Sequence, residues 1–162
     1  MASTKFKNDM VITGDLTVEG AIDASGGIAG SISLADANAT ISAANSGKVH
    51  TIANVSADRT FTLPAAAAGL YYKFVAEVSA ADGHDWIFIA AATADLFKGG
   101  LVFLDADAGP PTTTAVVLAD QSDDDQLQVN LPQGGTVIEM VCDGTYWIVS
   151  GYVVSATAPV FS

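Results

Sequence analysis

The sequence predicts an all-β fold, an antiparallel β-sandwich or jelly-roll-like domain over residues 46–162 with an extended N-terminal arm over residues 1–45. From residue 46 onward, short apolar runs alternate with turn residues at the regular spacing typical of sandwiches and barrels. No segment sustains the apolar spacing i, i+3, i+4, i+7, so helices should be scarce. The first 45 residues are instead rich in Gly, Ala and Ser, which indicates an arm rather than a core.

The predicted arm carries short apolar runs that a flexible tether would not need. Gly14 permits a turn between two of these runs, because glycine adopts positive φ without steric cost. A two-stranded ribbon of this size is marginal alone in water, so we expect the arm to pack on its own domain, a neighbouring copy or a partner. The alternative is a disordered leader. The predicted assembly contacts are Lys5, Lys7, Val11, Ile12, Leu16 and Val18.

Three consecutive strands between residues 59 and 92 organise the predicted domain. The middle one alternates, with Tyr72 and Phe74 on one face and Lys73 on the other, which is the pattern of a half-buried strand. The next, Trp86–Ile89, is apolar on both faces and belongs in the interior. Strands are predicted near 48–53, 59–63, 70–79, 85–91, 97–104, 114–119, 126–131, 136–142 and 145–154.

Asp143-Gly144 lies between the last two apolar runs and predicts a two-residue hairpin turn. Such a turn places Met140 opposite Trp147 and Ile138 opposite Val149 on one core-facing side. The large apolar residues predicted to share one core are Phe74, Trp86, Phe88, Met140 and Trp147.

Charge excludes some partner classes. The chain has 18 acidic and 6 basic residues, a net charge of −12, which opposes unassisted binding to nucleic acid or to an anionic membrane surface. Half of the residues are apolar, which indicates that the protein hides some surface in an assembly. The apolar runs are too short for a membrane span of about 20 residues, and no signal peptide is evident.

One grouping of residues resembles a catalytic or metal site more than any other in the sequence. It consists of His84, which lies between Asp82 and Asp85, together with His50. A catalytic histidine needs an orienting carboxylate and a nucleophile, and a zinc site needs three or four ligands. Neither set can be assembled from the sequence. We therefore expect a solvated turn, no enzymatic activity and no cofactor.

The acidic stretches, the cysteine and the tryptophans each have a chemical and a structural interpretation. The acidic stretches 105–107 and 120–125 offer oxygen ligands for Ca²⁺, but ordinary exposed acidic loops are favoured because neither matches a helix-flanked calcium loop. Cys142 is predicted to be a small buried hydrophobe, and its being the only cysteine excludes an intrachain disulfide. Trp86 and Trp147 could form a carbohydrate platform but are expected in the core.

Several loose motifs give the chain a family resemblance. They are Ser46-Gly47-Lys48, Thr62-Leu63-Pro64, Gly69–Phe74, Trp86–Ile89 and Cys142-Asp143-Gly144-Thr145-Tyr146-Trp147. Together they resemble a domain of tailed-bacteriophage virion structural proteins. In the arm, Ile12–Gly20 is similar to the opening of many phage fibre and head-decoration chains.

The resemblance implies a capsid decoration, or cement, protein that binds the major capsid protein on the outer surface of the virion as a homo-oligomer, a trimer being favoured. Two other roles stay open: a tail-fibre or receptor-binding component, and a glycan-binding or glycan-active virion protein.

Overall fold

The computed structural model describes residues 13, 30–78, 82–107, 114–120 and 122–162. Within these ranges the chain forms twelve β-strands and one 3₁₀ turn, Ala43–Asn45, without any α-helix, so the all-β prediction is confirmed. The strands are β1 (Ser31–Leu34), β2 (Ala39–Thr40), β3 (Val49–Ile52), β4 (Arg59–Thr62), β5 (Tyr71–Ala76), β6 (Trp86–Ile89), β7 (Phe97–Asp105), β8 (Thr114–Leu118), β9 (Gln126–Val129), β10 (Val137–Cys142), β11 (Trp147–Ser155) and β12 (Val160–Phe161).

The strands form two sheets. One has seven strands in the order β1-β3-β5-β10-β11-β7-β8, and the other has five in the order β12-β9-β6-β4-β2. All nine strands predicted after residue 46 are present, and β1, β2 and β12 are additional.

Both sheets are mixed, so the strictly antiparallel arrangement expected from the sequence is not observed. From β1 to β6 the chain alternates between the two sheets, and neighbours within one sheet are therefore second neighbours along the chain. After two crossings between the sheets, the chain returns to the first sheet and runs in its original direction. The strands β1, β3 and β5 are therefore parallel to one another, and so are β2, β4 and β6. The pair β7–β11 is also parallel, whereas the remaining pairs are antiparallel.

The predicted boundary at residue 45 falls inside the sheets. Ser31–Leu34 pairs with β3, and Ala39–Thr40 pairs with β4. Ile41 is only 3% exposed and belongs to the core. The Asp36 carboxylate, 2.7 Å from Nε of Arg59, holds the connection between β1 and β2 against β4. The fold therefore begins by about residue 31, and the predicted contacts Lys5, Lys7, Val11, Ile12, Leu16 and Val18 lie outside the described residues.

The two sheets pack on one shared core. Phe74 of the seven-stranded sheet and Phe88 of the five-stranded sheet meet with their ring centroids 4.6 Å apart. Trp86, Met140 and Trp147 are completely buried in the same cluster. The predicted five-residue core is confirmed.

The hairpin between β10 and β11 keeps the predicted face but not the predicted register. Cys142 pairs with Trp147 and Met140 pairs with Val149, two residues away from the pairing expected for a two-residue turn. The Asp143 carboxylate accepts hydrogen bonds from the backbone N–H groups of Thr145 and Tyr146, both at 2.8 Å, and stabilises a four-residue connection. Because side chains alternate with a period of two, a shift of two leaves the same residues facing the core.

Candidate functional site

The most distinctive surface lies on the side of the seven-stranded sheet that faces away from the core. We call it the outer face and define it by the outward-pointing residues of β5, β10, β11, β7 and β8. The alternation of side chains along each strand creates the outer face. In β10, for example, Ile138 and Met140 are buried, whereas Val141, the residue after Met140, points outward. The exposed large apolar residues of the outer face are Val102, Val116, Leu118, Val141, Ile148 and Tyr152.

Strand register brings these residues into contact distance across the sheet. Val116 lies beside Val102, and Val102 lies beside Tyr152, which forms one row across three strands. Val141 lies beside Ile148 in a second row. Directly paired residues on one face of a sheet are within side-chain reach. The exposed residues therefore form two apolar rows, with the pair Glu139–Ser150 between them.

The outer face ends at β8, an edge strand whose own sequence lacks the usual protecting residues. Strand β8 is the last strand of the seven-stranded sheet and contains no charged residue, proline or glycine. Val116 and Leu118 on it are 64% and 67% exposed. Edge strands of soluble proteins are commonly protected by charges, prolines or bulges, because bare edges pair with other chains. An apolar edge of this kind is typical of a strand that another molecule covers.

Charge is nearly absent from the outer face. Its strands carry Lys73, Lys98 and Glu139 at outward positions. Nζ of Lys73 is 3.1 Å from the Glu139 carboxylate, and this hydrogen bond raises the pKa of Lys73. Nζ of Lys98 lies 3.4 Å from the ring centroid of Tyr146. In a chain of net charge −12, the outer face thus carries one carboxylate and two ammonium groups.

The acidic loop 120–125 brings three carboxylates together. Ligand oxygens of Asp120, Asp123 and Asp124 lie within 4.8 Å of one another. Ser122 donates from its backbone and its hydroxyl to Asp120, both at 2.8 Å, and the backbone of Asp120 donates to Asp124. Asp124 is 4% exposed, which corrects the prediction that these loops are fully solvated. Its burial is tolerated because its carboxylate accepts a backbone hydrogen bond of the loop.

The predicted grouping around His84 is separated by the fold. His84 is exposed, with Nδ1 3.7 Å from the carboxylate of Asp58. Asp82 is buried and accepts a hydrogen bond of 2.9 Å from the backbone of Val55. Asp85 accepts one of 3.0 Å from the backbone of Leu131. The two aspartates therefore anchor remote loops instead of orienting the histidine.

His50 is completely buried on β3, remote from that turn along the chain. Its ring packs against those of Tyr72 and Phe74, with centroid distances of 5.6 and 5.3 Å. Within the part of the chain that the structure describes, neither ring nitrogen has a hydrogen-bond partner. Burial lowers the pKa of His50 below its ordinary value of 6.5, and a weak interaction with the backbone of Lys48 opposes this shift without reversing it.

His50 should make stability depend on pH. The pKa of His50 is lower in the folded than in the unfolded chain, so the unfolded chain binds more protons below about pH 6.5. The free energy of unfolding should therefore fall as the pH decreases through that value. In His50→Phe this contribution should disappear, since the phenyl ring fits among Tyr72 and Phe74 without an unpaired polar atom. Urea unfolding at pH 7.5 and 5.5 checks the prediction. Equal pH dependence in the two proteins would contradict it, because all carboxylates are common to both.

The tryptophans and the cysteine have structural positions. Trp86 and Trp147 are fully buried, so they belong to the core and form no exposed carbohydrate platform. Cys142 is 1% exposed and packs in the same cluster, as predicted for a small buried hydrophobe.

A polar recess lies at the edge of the five-stranded sheet, beside β2 and β4. It is an open depression with a volume of about 300 Å³, lined by Asn38, Ala39, Thr40, Thr60 and Thr62. The Asn38 side chain accepts a hydrogen bond of 2.9 Å from the backbone of Thr60, which fixes one wall. Hydroxyl groups dominate this recess, in contrast to the apolar outer face.

Sequence reasoning missed the outer face, although a signal for it was present. Val137, Val141 and Ile148 are apolar at positions whose neighbours face the core. Strand β8 likewise reads as apolar at every position after Thr114. Apolar residues on both sides of a strand indicate that both sides are covered.

Comparison of the chain with models of protein families, with curated proteins and with solved structures finds no match. A search of the described residues for membrane spans finds no helix of sufficient length and apolar character.

Proposed function

We propose that this protein is a structural, non-enzymatic virion component that decorates and stabilises a phage capsid, binding its outer surface as a symmetric oligomer built on a β-sandwich domain. The observation that carries the proposal is the outer face, an apolar and almost acid-free surface on an otherwise strongly acidic protein. Exposed apolar patches of this kind mark sites where proteins assemble. The motif resemblance to tailed-phage virion proteins supplies the kind of assembly.

The partner in this proposal is the major capsid protein, and residues 1–29 provide the attachment. Val11, Ile12, Leu16 and Val18 suit an extended segment that adds to a sheet edge or lies in a groove between capsid subunits. Lys5 and Lys7 are two of only 6 basic residues in the chain, so the N-terminus meets an acidic capsid surface with least repulsion.

Stabilisation would follow from mass action. A protein that binds the assembled shell but not its dissociated subunits shifts the equilibrium toward the shell. At a free concentration 100 times the dissociation constant, one binding site contributes about 2.7 kcal/mol. Repeated over the surface of a capsid, such contributions strengthen the shell without any catalytic step.

Deleting residues 2–29 should abolish binding to capsids that lack the native protein while leaving a folded domain. The deletion stops at residue 29 because removing residues 31–45 would also remove β1, β2 and the core residue Ile41. Bound copies per particle, measured by quantitative gel analysis after sedimentation, provide the readout. The far-ultraviolet circular dichroism spectrum and the melting temperature of the truncated protein establish that it is folded.

Equal occupancy of the particles by truncated and full-length protein would refute attachment through the N-terminal segment. High copy number on the head supports decoration, whereas low copy number confined to the tail would support the tail-fibre alternative. The outcome thus decides both the position on the virion and the segment that binds.

The hydroxyl-lined recess favours one other candidate, a glycan-binding virion protein. Sugars are bound through hydroxyl and amide groups, which Asn38, Thr60 and Thr62 present together. If this role is correct, host-surface glycans should bind the wild type, and Thr60→Val should weaken that binding without changing capsid occupancy. Screening both proteins on a glycan array tests this candidate.

A further inference from the structure

We infer that the outer face is the surface through which copies of this chain associate, so that the outer faces of neighbouring copies meet around the symmetry axis of the oligomer. The inference deepens the proposed function, which requires a symmetric oligomer but does not say where its subunits touch. The occupant is a second copy of the chain, and the contact is centred on Val102, Val116, Leu118, Ile148 and Tyr152.

The size of the outer face is suitable for such a contact. Five neighbouring strands about 4.8 Å apart, each exposing some six residues of length, give a surface of roughly 400 Å² before side-chain relief is counted. A standard interface buries about 800 Å² per partner, with an apolar centre and a polar rim. The outer face supplies that centre.

Charge favours a second copy as the occupant. Two molecules of net charge −12 repel each other, and they can approach with least cost where carboxylates are scarcest. On the strands of the outer face, Glu139 is the one outward carboxylate, and Lys73 already pairs with it. A basic partner would instead be attracted to the acidic loops, such as that holding Asp120, Asp123 and Asp124.

The composition of β8 supports the same occupant. Its sequence Thr-Ala-Val-Val-Leu places exposed apolar side chains on a bare sheet edge, which would promote uncontrolled pairing if it stayed uncovered. Closed symmetric association covers every such edge in the oligomer and leaves none for further growth. A second copy thereby accounts for both the apolar face and its unprotected edge.

The test compares two valine substitutions on opposite sheets. Val116→Glu places a carboxylate among the apolar residues of the proposed contact, whereas Val160→Glu places one on β12, at an exposed edge position of the five-stranded sheet. Both valines are about half exposed or more, so both proteins should fold, which circular dichroism verifies. Sedimentation velocity of the full-length chain without capsids measures the association.

We expect the wild type and Val160→Glu to form the same oligomer. In Val116→Glu the dissociation constant of the oligomer should be higher by on the order of 100-fold or more, because burial of an unpaired carboxylate is costly. A monomeric wild type would overturn the inference, whether the outer face is then bare or covered by residues 1–29 of the same chain. An unchanged oligomer in Val116→Glu would overturn it equally.

Hydrogen exchange of the wild type gives a second measurement that needs no variant. The amides of β8 should become protected as protein concentration rises through the association range, while those of β12 should not change. Concentration-independent exchange in β8 would contradict the inference. Because capsids are absent from both experiments, self-association can be established even if capsid decoration fails. Capsid binding by a monomer would refute the interface and the oligomeric form, and it would leave capsid decoration itself in place.

Discussion

Replacing Trp147 with alanine is expected to lower the free energy of unfolding by about 3–5 kcal/mol, the range for removing a large buried aromatic side chain. Trp147 is completely buried at the start of β11, a central strand, and its ring centroid lies 5.8 Å from that of Tyr72. Its indole N–H has no hydrogen-bond partner among the described residues, so the expected loss comes from packing and from the cavity left behind.

The matched control is Tyr152→Ala, on the same strand but on the outer face, with the tyrosine 43% exposed. Urea unfolding at a low protein concentration, where association does not contribute, should show a loss below about 1 kcal/mol for this variant. If Trp147→Ala melts within a degree or two of the parent, the assignment of Trp147 to the shared core is wrong.

Gly151→Ala should destabilise the protein by about 2–4 kcal/mol, through backbone strain and a steric clash together. Gly151 lies in the middle of β11 at φ +128°, a conformation that side chains rarely adopt. A Cβ atom there would be 2.2 Å from the carbonyl oxygen of Val137 on the neighbouring strand. Because the clash is with backbone, the two central strands would have to separate locally.

Gly47→Ala provides the control for the strain component. Gly47 also has positive φ, +84°, but no atom lies within 4 Å of its would-be Cβ. Its replacement should therefore cost only about 1 kcal/mol, the lower end for a residue forced into the left-handed region. Thermal or urea unfolding of both variants checks the prediction, and equal losses would show that close approach of β10 to Gly151 contributes nothing.

Local patterns predicted the strands and the core well. The alternation through Tyr72 and Phe74, and the apolar run Trp86–Ile89, place those side chains inside, as the structure confirms. Such patterns are reliable because the two faces of a strand alternate residue by residue, whatever the strand pairs with. The same alternation kept Met140 and Trp147 on the correct face even though their register was wrong.

Short strands of weak propensity were not predicted. Ser31–Leu34 and Ala39–Thr40 contain small and polar residues that favour no sheet by themselves. They become strands because β3 and β4 offer parallel edges and because Asp36 meets Arg59. The burial of Asp82 and Asp124 was also beyond sequence reasoning, since each carboxylate accepts a backbone hydrogen bond whose donor is brought near by the fold.

By itself, then, the sequence determined the all-β class, nine of the strands and the large side chains that fill the core, because these depend on a two-residue period within single segments. Only the tertiary structure decided that the sheets are mixed and that Val102, Val116, Ile148 and Tyr152 share one surface. Strand order is a choice among distant segments, made by the packing of both sheets together, and no local pattern records it. The outer face, on which the proposed association depends, exists because β7 lies between β8 and β11.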